Sequence, residues 1–216
     1  MSFRRPTIVA VSGFSSNVGK TTLVCKLLEH LPGWEAIKLT RGHYRSCGRD
    51  PEACCVSDLL QEKAVVRSGR ESNYEIGKDT GKFWDAGATN VHWVIVSDDQ
   101  VEQGIAEALS RVKAEGVVIE GNSFLQYVEA DVTIMCSRAE GGKIKSSARE
   151  TLSKSDLLYL STVNGQSANP RLEFENWRRK LPIDLDLDQL PLITADDLPR
   201  LIESIKNKSE RLQPAL

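Results

Sequence analysis

The sequence predicts an α/β fold of three layers, a mostly parallel sheet with helices on both faces. Apolar runs of strand length alternate with helical patterns almost from end to end, which is how a parallel sheet and its crossover helices read. A glycine-bearing turn joins the first such run directly to the first helical pattern. At 216 residues and 40% hydrophobic content, the chain can bury a sizeable core as one domain. The expected organisation is one domain over 1–216 with a Cys-rich insertion at about 41–78.

Taken in order, the first strand is Thr7 to Val11. The leading MSFRRPTIVAVSGF has two arginines, but its apolar run is short and broken at Ser12 and Gly13, so it reads as a strand rather than a signal sequence. A helix follows the turn, with Leu23, Val24, Leu27, Leu28 and Leu31 on one face, and stops near Pro32 and Gly33. Glu35 to Thr40 is the second strand. From Arg41 to Lys78 the rhythm fails: Cys, Gly, Ser and Arg dominate, with a short apolar stretch at Val65 and Val66, as in a long functional insertion. Within GKDTGKFWDAGA, at 77–88, Asp79 or Thr80 is placed to cap a helix. Further strands are expected at Val91 to Ser97, Gly116 to Glu120, Asp131 to Cys136 and Leu157 to Val163. Val101, Ile105, Leu109 and Val112 mark a helix between the first two of these. Gln166 to Pro170 reads as a surface loop. Leu198, Leu201, Ile202 and Ile205 mark a closing helix, with Asp196 and Asp197 as caps and Pro199 in its first turn.

Composition narrows the partners. A formal net charge of −2, from 28 basic and 30 acidic residues, provides no broad cationic field for nucleic acid or anionic lipid. No segment approaches the roughly 20 apolar residues of a membrane span. Cys25, Cys47, Cys54, Cys55 and Cys136 are odd in number and unevenly spaced, unlike a secreted disulfide framework, and a cytoplasmic location is expected.

The strongest motif is GFSSNVGKTT at 13–22, set between a strand and a helix. In a phosphate-binding loop of this kind, glycines let successive backbone N–H groups of Gly13, Ser15, Ser16, Asn17, Val18 and Gly19 face one anion. Lys20 reaches the outer phosphates, Thr21 can hold Mg²⁺, and Thr22 follows in the first turn. The expected ligand is a nucleoside triphosphate, GTP or ATP. Five residues separate Gly13 from Gly19 where four are usual, and Phe14 stands where the first glycine would be.

Ligands of open α/β sheets sit beyond the carboxyl ends of the strands, so other strand ends are candidates for the same site. Glu120, at the end of an apolar strand, is a candidate Mg²⁺ ligand with Thr21 and Asp79. Lys38 is unusual in an apolar strand, because a buried ammonium is costly without a partner, and can meet a phosphate or an anionic substrate. Asn164 closes a strand and can read the edge of a base, or simply serve its turn. His43, Cys47, Cys54 and Cys55 form a cluster that can ligate zinc or iron, although adjacent cysteines and the lack of a C-x2-C pair favour free thiols. His30 complements a helix end, while His92, Cys25 and Cys136 read as packed residues. The segment SRAEGGKIKSSARE, at 137–150, is an anion-binding or solvated loop.

These residues resemble the molybdopterin-guanine dinucleotide biosynthesis adapter (MobB) family, within the signal-recognition and MinD-like (SIMIBI) branch of P-loop NTPases. The resemblance lies in the phosphate loop, in IKL at 37–39 with a histidine-bearing loop after it, in GKDTGKFWDAGA and in VIEG at 118–121. A further echo is LPLITADDLPRLIESI at 190–205, similar to the family's closing strand and helix. The loop is also similar to that of dethiobiotin synthetase, where Lys38 would be the substrate lysine and Glu120 the Mg²⁺ acid. Ser15 stands at the place of the signature lysine of MinD and ParA ATPases, which argues against a partitioning ATPase. The family's second loop tends to be short and histidine-rich, whereas KLTRGHYRSCGRDPEACC offers one histidine and three cysteines.

The adapter resemblance implies a slow, Mg²⁺-dependent NTPase that assists molybdenum-cofactor maturation, with a molybdopterin nucleotidyltransferase as partner and a homodimer as assembly. The synthetase resemblance implies an ATP-dependent ligase for a small carboxylate or carbamate. A third reading makes the cysteine-rich loop a nucleotide-switched metal or redox sensor.

Overall fold

The computed structural model describes residues 5–42, 57–162, 167–181, 187 and 189–212. Their strands form one eight-stranded sheet in the order β3-β4-β2-β5-β1-β6-β7-β8. In chain order these are β1 (Thr7–Gly13), β2 (Glu35–Arg41), β3 (Val65–Ser68), β4 (Val91–Val96), β5 (Gly116–Glu120), β6 (Val132–Arg138), β7 (Leu157–Ser161) and β8 (Leu192–Ile193). All pairings are parallel except that of β3, which runs antiparallel to β4 at the edge. The helices are α1 (Lys20–Leu28), α2 (Arg70–Asn73), α3 (Asp79–Asp85), α4 (Val101–Arg111), α5 (Ser146–Leu152), α6 (Pro170–Arg178) and α7 (Leu198–Leu212).

The alternation of strand side chains produces the layers. Val9 and Val11 of β1 pack with Leu23 and Leu27 of α1, Phe83 of α3, and Leu198 and Ile205 of α7. The neighbouring Ile8 and Ala10 face the other way, toward Val101 and Ile105 of α4. On that second face, Met135, Leu158 and Leu160 meet Ala148 of α5 and Phe174 of α6. Being covered on both faces, β1 is buried along its whole length, which explains its unbroken apolar run.

One buried polar pair ties three strands together. Glu35 of β2 accepts from the backbone N–H groups of Lys113 and Ala114 ahead of β5, at 2.9 and 3.0 Å, and its other oxygen lies 2.7 Å from His92 Nε2 on β4. His92 is therefore packed in its strand, as expected, but with a carboxylate partner that spacing alone did not indicate.

The sequence-based expectations need several corrections. The stretch from 57 to 78 carries β3 and α2, so the part of the insertion that is described extends the sheet. The fifth and sixth helices were not anticipated, because their apolar residues are few; α6 starts instead from Pro170 in its first turn and from Asn169, whose side chain accepts from Leu172 N–H. Strand β7 ends at Ser161, and Val163 lies outside the described residues. Before α7 the cap is Thr194, in a reciprocal box with Asp197, so Asp197 is the third residue of that turn rather than its cap. Asp79 is the first residue of α3 and not its cap, and Thr80 donates to Asn73 O at 2.6 Å. Among the described residues no helix is long and apolar enough to cross a membrane.

Candidate functional site

The loop after β1 is held from both sides. Asn122, just past β5, accepts from Gly13 N–H and donates to Gly13 O, both at 2.9 Å. Phe14 turns into the core between sheet and α6, with ring centroids 6.5 Å from Phe174 and 6.1 Å from Trp177. That packing accounts for a phenylalanine at a position where glycine is usual: its side chain anchors the widened loop. Its backbone is fixed as well, since Phe14 N–H donates to Cys136 O and Phe14 O accepts from Lys145 N–H.

Beyond this anchor, Asn17 (φ 59°) and Gly19 (φ 85°) take left-handed backbone conformations that bend the chain into α1. A Cβ at Gly19 would also approach Ser161 Cβ to 2.8 Å, so the position requires glycine for space too. Val18 is buried. Ser161 Oγ, at the end of β7, lies 3.1 Å from Val18 O and pins the far side of the loop. Helix α1 then starts with neither a capping side chain nor an acidic residue in its first turn. Its leading N–H groups and positive dipole end are therefore left for an anion. Lys20 Nζ folds back over the loop to donate to Ser15 O at 2.8 Å. Burial lowers the Lys20 pKa, opposed by Glu120.

A charged cluster stands beside the loop because the register makes it. Lys38 of β2 and Glu120 of β5 are cross-strand partners at the carboxyl ends of neighbouring parallel strands. The Lys38 ammonium lies 2.5 Å from Glu120 Oε1 and 2.7 Å from Asp79 Oδ2, the latter brought in by the start of α3. Thr21 donates to the other Glu120 oxygen at 2.9 Å. Burial would lower the Lys38 pKa, but Glu120 and Asp79 outweigh it and the net displacement is upward. For Asp79, burial is outweighed by Lys38 and by the Thr21 hydroxyl, so its carboxyl is held below its usual range.

Two carboxylates thus converge on one cationic atom within reach of a hydroxyl. That hard oxygen donor set suits Mg²⁺, which needs few protein ligands when water and phosphate supply the rest. Among the described residues, this site with its two carboxylates included, no group of three or more His, Cys, Asp or Glu gathers to hold a metal.

A cavity of about 1170 Å³ opens over Ser16, Asn17, Thr22 and the cluster, and extends toward Tyr159, Ser167 and Asp196. The structure thus brings the loop residues, Lys38, Asp79 and Glu120 to one site. Asn164 lies outside the described residues, as do His43, Cys47, Cys54 and Cys55. Cys25 and Cys136 are free thiols; burial, with Glu29 behind it, raises the first to about 11, and burial raises the second as well. Sequence reasoning missed Asn122 and Ser161, and it placed Arg138, which also lines the cavity, only within the loop 137–150. Position was the available signal: Asn122 follows Glu120-Gly121, while Ser161 and Arg138 end their strands.

No family model matches this chain, and no curated protein matches it. Among solved structures, a plasmid partition protein from Borrelia burgdorferi aligns over 96% of this chain and 98% of its own, at 14% identity and a TM-score of 0.42. That likeness assigns no activity.

Proposed function

We propose that this protein binds a nucleoside triphosphate with Mg²⁺ and acts as a nucleotide-dependent accessory protein with weak NTPase activity. The observation that carries the reading is the pairing of an uncapped α1, entered through a left-handed Gly19, with the Thr21–Glu120–Lys38–Asp79 cluster beside it. The triphosphate rests on the backbone of residues 13–22, and Lys20 leaves Ser15 O to neutralise its outer oxygens. Thr21, Asp79 and Glu120 would hold Mg²⁺ directly or through water, and a bound ion would supply positive charge to offset that of the phosphates. The nucleoside occupies the part of the large cavity near Tyr159 and Asp196.

The finer assignment to molybdenum-cofactor maturation rests on the sequence resemblance alone. Against the ligase alternative stands one observation: the Lys38 ammonium is already shared by two carboxylates, which compete with an anionic substrate for it. Thermal melting with ATP or GTP, each with and without Mg²⁺, tests the nucleotide site. The reading expects a Mg²⁺-dependent rise in melting temperature with at least one of them, since a ligand of the native state stabilises it by mass action. No rise with either contradicts it. A nucleotide-dependent complex with a molybdopterin nucleotidyltransferase tests the finer role. Carboxylate-dependent phosphate release with an activated product would replace that role with the ligase.

A further inference from the structure

A second cavity, of about 560 Å³, lies on the side of the phosphate loop away from Tyr159 and Asp196. It meets the first along Ser16, Lys20, Lys38, Leu39, Arg41, Glu120 and Lys145, and of these Lys20 and Glu120 are assigned above to the outer phosphates and the metal. Its own wall, the residues that line it alone, includes Lys143, Ile144, Ser146, Ser147, Asn122 and Ser123. We propose that this cavity is a separate subsite for a small organic anion bearing a compact oxyanion group, phosphate or carboxylate, seated beside the terminal phosphate. The proposal rests on the nucleotide reading for what lies next to the subsite, and on the wall itself for what fills it.

The wall is built rather than incidental. Gly141, at φ 76°, lies against the Trp177 indole so closely that a Cβ would come within 2.0 Å of it. Ile144 is buried among Phe14, Leu152 and Phe174, and Lys145 N–H donates to Phe14 O at 2.9 Å. Lys145 itself is extended (φ −70°, ψ 155°). On either side of the buried Ile144, Lys143 and Lys145 are exposed and line the cavity. Lys145 Nζ donates to Ser16 Oγ at 3.0 Å, which spans the cavity mouth from wall to loop.

Charge selects the ligand class. Arg41, Lys143 and Lys145 line the cavity beside Lys20, which is given to the outer phosphates, and Lys38, which Glu120 and Asp79 already share. Glu120 is engaged by Lys38, and Arg41 by Asp98 at 3.0 Å, whereas Lys143 has no ion-pair partner among the described residues. Serine hydroxyls and the Asn122 amide supply further hydrogen-bonding groups, the usual lining for a charged group with a fixed orientation. A volume of this size admits a small metabolite rather than a bare ion.

The test starts from protein saturated with a non-hydrolysable triphosphate analogue and Mg²⁺, into which inorganic phosphate and, separately, succinate are titrated by calorimetry. Binding of either anion is expected, weakened about tenfold in Lys143→Ala and restored in Lys143→Arg, with analogue affinity unchanged in both variants. The arm that binds tells phosphate from carboxylate. If neither anion binds the loaded protein, or if Lys143→Ala binds them as wild type does, the subsite is refuted. Should the analogue itself fail to bind, the nucleotide reading fails; the same titrations on free protein and the Lys143 variants then decide the subsite by the same criteria.

Discussion

Lys38 and Glu120 are cross-strand partners at the carboxyl ends of β2 and β5, with Lys38 Nζ 2.5 Å from Glu120 Oε1. Glu120 is 2% exposed and Lys38 16% by side chain, so the pair is largely withdrawn from water. Where a divalent ion would be wanted, an internal ammonium holds the carboxylates.

Replacing Lys38 with Met leaves Glu120 and Asp79 facing each other without a cation. The expected cost is about 3–5 kcal/mol, typical of removing one partner from a buried pair. Added Mg²⁺ is expected to recover part of that loss by taking the vacated position. Melting curves of wild type and Lys38→Met in chelator and in Mg²⁺ check this; a deficit of equal size in both solutions argues against a shared cation position.

Gly19→Ala combines a disfavoured positive φ with a 2.8 Å approach to Ser161. A loss of about 1–3 kcal/mol in stability is expected from the strain, together with weaker triphosphate binding as the loop shifts. Denaturant unfolding measures the first and calorimetry the second. A variant as stable and as tightly binding as wild type would show that the loop does not depend on this turn.

Glu35 sets an acid limit on stability. Burial alone would raise its pKa, but the His92 hydrogen bond and the N–H groups of Lys113 and Ala114 outweigh it, leaving the value below the ordinary 4.5. A folded pKa below the unfolded one means the stabilisation is complete above about pH 4.5 and is lost as pH falls through the lower folded value. Glu35→Gln is expected to cost about 1–3 kcal/mol at neutral pH and to flatten this part of the acid unfolding profile. Unfolding free energies from pH 3 to 7 check the slope, and an unchanged slope in the variant would assign the acid loss to other groups.

Phe14→Ala removes the anchor of the loop. Because Phe14 is 2% exposed and packs against Phe174 and Trp177, a loss of about 3–5 kcal/mol is expected in chemical denaturation. A loss under 1 kcal/mol would mean that the loop is not anchored through this ring.

The sheet was legible wherever a strand is covered on both faces, because unbroken runs such as Ile8 to Val11 and Val117 to Ile119 admit few other structures. The glycine-bearing turn between β1 and α1 was legible from glycine and lysine spacing, and the meeting of Glu120 and Lys38 from their places at strand ends. Edge strand β3 was not, since its residues are only partly buried and carry a weak pattern. Asp79 read both as a helix cap and as a candidate Mg²⁺ ligand; the fold adds that α3 delivers it to Lys38. Asn122 and Ser161 act on the loop across sequence separations of 109 and 143 residues, through backbone groups that spacing does not encode.

The central claim is that residues 13–22 bind a triphosphate through Lys20, and calorimetric titration of Mg²⁺-ATP and Mg²⁺-GTP into wild type and Lys20→Ala tests it most directly. The Lys20 side chain makes one hydrogen bond within the loop, to Ser15 O, so its loss should leave far-UV circular dichroism unchanged. Removing a charge-assisted contact to the phosphates is expected to weaken binding at least about tenfold. Binding of undiminished affinity by Lys20→Ala, or none by wild type, would contradict the account.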